Sequence, residues 1–259
     1  MFTENQLSEI KKLISPEKKV VIITHYNPDG DAIGSALGLK HFLNNMGVEP
    51  TVLAPNDFPK FLKWMPDAKK VVIAEYKRKT AGEAIYKADV IFCLDFNAHN
   101  RIGILGDWLM KSWAKKILID HHQQPEDFDY VYSDVTIPAT CQMVYHFIEA
   151  LGREDLVDQN VAECLYTGIM TDTGGFRFRS TSATTHRIVA NLIEKGANPA
   201  MITSNTWDTN SVSRLHLLSL ILGRIELVKD GKVAVLYLKR EELKEFGFEK
   251  GDTEGFVNY

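Results

Sequence analysis

Three apolar runs, each of strand length and each emptying into aspartate or histidine, constrain this 259-residue chain more than any other feature. Val20-Val-Ile-Ile leads into T-H-Y-N-P-D-G-D-A-I-G-S at residues 24–35. Val90-Ile-Phe-Cys-Leu ends on Asp95, and Ile117-Leu-Ile ends on Asp120-His121-His122. A run without polar alternation is what a strand covered on both faces requires, and such strands belong mainly to parallel sheets.

The intervening stretches read as helices. Leu7, Ile10, Leu13 and Ile14 recur at helical spacing, and further helices are expected from near Asp31 to Gly47 and from Ala81 to Lys87. Residues 51–54 and 71–74 read as two more strands. Strands alternating with helices predict an α/β fold, a doubly wound and mainly parallel sheet with helices on both faces. Ligand sites in such sheets lie outside the carboxyl ends of the strands. His25, Asp29, Asp31, Asp95, Asp120 and His121 all fall there. Gly34 and Gly38 lie four apart inside a helix, where each costs about 1 kcal/mol against alanine; close approach of the helix to the sheet is the expected reason.

After His122 the pattern becomes helical, over 140–151, 158–170, 184–195 and 213–227. A Lys229-Asp-Gly-Lys turn then precedes an apolar stretch at 232–238, the expected start of a β-containing unit. The chain thus divides into an α/β domain over 1–209, then a linker helix and an incomplete α/β C-terminal domain over 210–259.

Composition narrows the function. A net charge of −4 offers no overall attraction to nucleic acid, so long duplex DNA is not an expected partner. Cys93, Cys141 and Cys164 are odd in number and far apart, which fits a reducing cytoplasm better than a disulfide scaffold. The first nineteen residues mix polar and apolar side chains and do not read as a signal peptide. No apolar run approaches the ~20 residues that span a bilayer.

Asp29, Asp31, Asp95 and Asp172, with His25 and His121, are candidate metal ligands. Four carboxylates would be neutralised by two divalent cations, and without metal they would repel one another or take up protons. Oxygen and imidazole donors without thiolate favour Mn²⁺, or Mg²⁺, over structural zinc. Two such cations ~3.5–4 Å apart can share a carboxylate and a water that attacks phosphorus in line. His122, beside His121, is placed to hold the phosphate or protonate the leaving oxygen. Arg101, Arg177 and Arg179 are candidate clamps for further phosphates, and His99 lies near them in the chain. Each element also has a plainer reading. Asp29-Gly-Asp31 fits an Asx turn capping the next helix, His121-His122 fits a surface pair, and Arg177 and Arg179 fit a solvated strand face. Their joint occurrence at successive strand ends favours the metal.

These motifs resemble those of the DHH phosphoesterase family, in order and over most of the chain: residues 24–35, Asp95, Asp120-His121-His122 and Thr171-Asp172-Thr-Gly. The resemblance implies one metal held by His25, Asp29 and Asp95 and another by Asp31, Asp95, His121 and Asp172, with Asp95 shared. It also implies that Asp120 orients a histidine and that His122 faces the phosphate, so that His122, Asp120 and Asp95 carry the catalysis. The run 172–179 and the helix from Thr140 resemble the nanoRNase/pAp-phosphatase branch. That implies hydrolysis of short oligoribonucleotides to 5′-mononucleotides and of 3′-phosphoadenosine 5′-phosphate (pAp) to AMP. Pyrophosphatase or exopolyphosphatase activity, cleavage of linear dinucleotides such as pApA, and a non-catalytic nucleotide sensor are the alternatives. Expected partners are short single-stranded RNA or small nucleotides, and no membrane; a homodimer is compatible with the resemblance. Family members carry a C-terminal DHHA1 domain with a Gly-rich, His-containing loop. No such loop occurs here, and residues 251–259 resemble that domain's early part, so the chain is expected to stop inside it.

Overall fold

The structure, a computed structural model, describes residues 1–258; Tyr259, the end of the segment expected to open the second domain, lies outside them. Six parallel strands form the central sheet: β1 (Val20–Ile23), β2 (Thr51–Ala54), β3 (Val72–Ile73), β4 (Val90–Leu94), β5 (Lys115–Asp120) and β6 (Tyr130–Ser133). Their order is β3-β2-β1-β4-β5-β6. The order reverses between β1 and β4, which pair from Val20↔Val90 to Ile23↔Cys93. That reversal opens a crevice at the carboxyl edge, where doubly wound sheets bind their ligands.

Alternate strand residues feed two cores, as a two-period backbone requires. Ile22, Phe92, Ile117 and Ile119 pack on one side with α2 (Gly30–Asn45), α5 (Thr140–Leu151) and α6 (Gln159–Asp172). Val21, Ile23, Ile91, Cys93 and Leu118 pack on the other with α3 (Arg78–Lys87) and α4 (Ile104–Lys111). The first side also receives α1 (Glu4–Leu13) and α7 (Ala183–Glu194), through Ile10 and Leu192. The doubly wound parallel sheet with helices on both faces is therefore the observed fold.

Several expectations need correction. Among the elements not foreseen are α4, and β6, whose four residues are largely half-exposed at the sheet edge. The glycines of α2 face another helix and not the sheet. A Cβ on Gly34 would lie 2.6 Å from the Cys164 carbonyl oxygen, and one on Gly38 would lie 2.6 Å from Leu165 Cδ2, both in α6. Arg177 and Arg179 are not on a strand. Gly174, Gly175 and Phe176 have φ of 57°, 72° and 65°, and three successive left-handed residues make a turn.

Beyond α8 (Pro199–Thr203), α9 runs from Val212 to Leu222 and stops short of the expected Leu227. The β-branched and apolar residues that follow form β7 (Glu226–Val228), antiparallel to β8 (Val233–Val235). Lys229, Asp230 and Gly231 turn between them with φ of 52°, 57° and 77°. The last helix, α10 (Arg240–Glu245), lies beside a small cluster of Leu217, Ile221 and Phe256.

Candidate metal centre

Each strand of the switch point delivers its polar residues to one place. His25 follows β1 directly and is buried. Its Nδ1–H donates to the Tyr26 carbonyl at 2.9 Å, which turns Nε2 toward Asp29 Oδ2 (3.7 Å) and Asp95 Oδ2 (3.5 Å). His121 follows β5 and does the same. Nδ1–H donates to the Ile137 carbonyl at 3.3 Å, and Nε2 faces Asp31 Oδ2 (3.9 Å), Asp95 Oδ1 (3.4 Å) and Asp172 Oδ2 (3.5 Å). Anchoring one ring nitrogen to a carbonyl fixes which nitrogen can meet a cation.

Asp95 stands between the two groups. It follows β4, is 2% exposed, and has φ of 64°. A left-handed aspartate is tolerated locally because its short side chain has few clashes. Here that backbone lets one carboxylate present Oδ2 to the His25 group and Oδ1 to the His121 group. Asp29 caps the helix, as one reading of its sequence expected, and also faces the cluster. Its Oδ1 accepts from the N–H groups of Asp31 and Ala32, at 3.1 and 3.0 Å, capping α2, while its Oδ2 faces His25. Asp31 is fully buried, and Asp172 ends α6 beside it.

Burial opposes protonation of His25, but the carboxylates of Asp29 and Asp95 outweigh it and raise its pKa to about 11. His121 follows the same logic: Asp95, Asp31 and Asp172 overcome burial and raise it to about 10. Burial, then the charge of Asp95, pushes Asp31 up to about 7. Burial and the neighbouring carboxylates push Asp172 well above the usual range. Asp95 is held below that range, because His121 and His25 outweigh the effect of burial. The cluster thus crowds carboxylates whose mutual repulsion either protons or divalent cations would relieve.

The donor set fits divalent metals. His25, Asp29 and Asp95 offer ligand atoms within 4.8 Å of one another, as do Asp31, His121 and Asp172, and as do Asp95, His121 and His122. All are oxygen or imidazole nitrogen. Cys141 adjoins Asp31, but burial, then the charge of Asp31, raises its thiol pKa well above the ordinary value, so no thiolate is on offer.

His122 has a different anchor. Buried Asp120 accepts from its backbone N–H at 3.1 Å and meets its Nδ1 at 2.7 Å. The histidine that Asp120 orients is thus His122, which leaves Nε2 free on a side chain 32% exposed. The remaining candidates are less engaged. His99 pairs with Glu126 at 2.5 Å, and Arg177 Nε donates to the Gly174 carbonyl at 2.6 Å. The exposed side chains of Arg101 and Arg179 have no hydrogen-bond or ion-pair partner among the described residues.

Contacts that the sequence reading missed hold the carboxylates from behind. Thr140 and Cys141 donate backbone N–H groups to Asp31 at 2.5 and 2.8 Å, and the Thr140 hydroxyl donates to Asp95 Oδ1 at 2.9 Å. The start of a helix at Thr140 was legible and marks a natural anion-binding end; its aim at Asp31 and Asp95 was not.

A doubly wound sheet with carboxylates and imidazoles converging on its switch point, one carboxylate serving both groups, is the arrangement a metal-dependent hydrolase would use. The chain belongs to the DHH family, whose N-terminal domain matches residues 19–169, and it is a phosphoesterase of that family. Among its relatives, the bifunctional oligoribonuclease and PAP phosphatase NrnA of Thermus thermophilus is 30% identical over 98% of this chain and 72% of that protein. NrnA of Bacillus subtilis is 24% identical over 96% of this chain and 76% of that protein. The crystal structure of an exopolyphosphatase-related protein from Bacteroides fragilis superposes with a TM-score of 0.94 at 40% identity. It covers 99% of this chain and 76% of that one.

Proposed function

We propose that this phosphoesterase acts on small nucleotides, releasing 5′-mononucleotides from short oligoribonucleotides and AMP from pAp. The observation that carries the chemistry is Asp95, whose two oxygens face two separate ligand groups. The substrate class is carried by similarity to the NrnA relatives along nearly the whole chain. In this reading His25, Asp29 and Asp95 hold one cation, and Asp31, Asp95, His121 and Asp172 hold the other, with Mn²⁺ preferred by the oxygen and imidazole donors. When bound, the cations lower the pKa of a water and neutralise phosphoryl oxygens.

The protein's own residues do the rest. His122, fixed through Nδ1 by Asp120, presents Nε2 to a phosphoryl oxygen or to the leaving oxygen. Arg101, Arg177, Arg179 and His99 are the candidate groups for the remainder of the substrate. The net charge of −4 fits short single-stranded RNA better than long duplexes, whose binding rests on many cationic contacts.

The test is hydrolysis of pAp, diribonucleotides, pApA, pyrophosphate and polyphosphate by the purified protein with Mn²⁺. Turnover of pAp and diribonucleotides should exceed the rest, and Asp95→Asn should lose at least about 10³-fold in kcat. Polyphosphate as the preferred substrate would support a second reading, favoured by the likeness to the exopolyphosphatase-related structure. Nucleotide binding without turnover would point to a sensor instead.

A further inference from the structure

The residues of the two ligand groups are themselves held, and unequally. On the His25 side, Asp29 is fixed within its own turn by the N–H groups of α2. On the His121 side, both buried carboxylates depend on the first turn of α5. Asp31 accepts at Oδ2 from the Thr140 N–H and at Oδ1 from the Cys141 N–H, and Asp95 accepts at Oδ1 from the Thr140 hydroxyl. Thr140 is fully buried. Its hydroxyl does not cap α5, since Ala139 occupies the cap position without a side-chain hydrogen bond. The threonine's backbone and side-chain donors are instead divided between two carboxylates, one in α2 and one just after β4. A backbone donor pair at a helix N-terminus fixes the orientation of the Asp31 carboxylate. The hydroxyl donates to Oδ1, the Asp95 oxygen that faces His121, and so orients the lone pairs on that side, whereas Oδ2, which faces His25, receives no such donor among the described residues.

We infer that Thr140 is a positioning residue that sets the cation affinity of the His121 side of the centre while leaving the His25 side nearly unchanged. The inference rests on the two-cation reading of the site. Outer hydrogen bonds to metal-binding side chains are commonly worth 10–100-fold in affinity. Only the hydroxyl differs between threonine and valine, because the backbone N–H of residue 140 is kept. Thr140→Val should therefore weaken one of two Mn²⁺ binding events about 10-fold and spare the other. Thr140→Ala should do the same without added bulk, and Thr140→Ser should restore the wild-type value.

The experiment is calorimetric titration of the metal-free full chain with Mn²⁺, without substrate, with far-ultraviolet circular dichroism of each variant as a check of folding. Electron paramagnetic resonance at two equivalents of Mn²⁺ gives a separate signature. Wild type and Thr140→Ser should show a spin-coupled pair, whereas Thr140→Val should show mainly isolated ions. One binding event in the wild type would overturn the two-cation reading itself. Two events in the wild type with equal affinities in folded Thr140→Val and Thr140→Ala, or equal loss at both sites, would overturn the role of Thr140 alone. Failure of Thr140→Ser to recover the second event would do the same, since it would assign the effect to packing.

Discussion

At the scale of single residues, the centre balances protons against cations. His25 and His121 have pKa values of about 11 and 10, well above the ordinary 6.5. A histidine raised in the folded state contributes stability that is fully present below about pH 6.5 and is lost as pH climbs through its folded value. Asp31, raised to about 7, acts in the same direction, because the folded state holds its proton longer than the unfolded chain does. Chelated protein should therefore melt at progressively lower temperature from pH 6.5 to pH 10. Saturating Mn²⁺ should flatten that slope, since the cations take over the neutralising role. Parallel melting curves with and without Mn²⁺ would count against this account. The convergence of these carboxylates and imidazoles was legible because they cluster in short motifs at strand ends. The Ile137 and Tyr26 carbonyls and the Thr140 hydroxyl were not, because a backbone acceptor leaves no signature in residue type and one threonine is uninformative without its neighbours in space.

At the scale of elements, the contact between α2 and α6 places Asp31 beside Asp172. The two helices meet through small residues. A Cβ on Gly168 of α6 would lie 2.2 Å from Cys141 Sγ and 2.8 Å from Asp31 Oδ1. Helix propensity alone would reward Gly168→Ala by about 1 kcal/mol, but the clash involves buried atoms that cannot move far, and overpacking costs about 1–3 kcal/mol. Net destabilisation in urea denaturation is expected, with weaker Mn²⁺ binding. Gly82 in α3 provides the opposite case. Its Cβ would meet the Trp108 ring at 3.7 Å, an ordinary contact, so Gly82→Ala should stabilise by about 0.5–1 kcal/mol. If both substitutions shift stability in the same direction, packing at Gly168 is not the controlling effect. The pattern of strands and long helices was readable from apolar periodicity and terminal glycines. β6 and α4 were missed because each is short, and the partner of the α2 glycines was misassigned because spacing along one helix does not say what lies opposite.

At the scale of the whole molecule, residues 249–254 fasten the C-terminal part of the chain to the loops that follow β1 and β2. Lys60 pairs with Glu249 at 2.6 Å, and Lys250 Nζ donates to Asn27 Oδ1 at 2.9 Å and to the Asp57 carbonyl. Arg214 in α9 gathers the same segment, donating to the carbonyls of Gly251, Asp252 and Glu254 at 3.3, 2.7 and 2.8 Å. Arg214→Ala removes three donors from backbone acceptors and should speed amide hydrogen exchange across 249–256 severalfold without affecting β1. Unchanged exchange there would show that the Lys60 and Lys250 contacts suffice.

The tight meeting of α2 and α6 has one more consequence. Asp31 and Asp172 are attached to a pair of helices joined at backbone distance, whereas His25, Asp95 and His121 are attached to the rim of the sheet. The centre therefore takes its ligand groups from that helix pair and from the sheet rim alike, and cations bound there would act as rivets between the two.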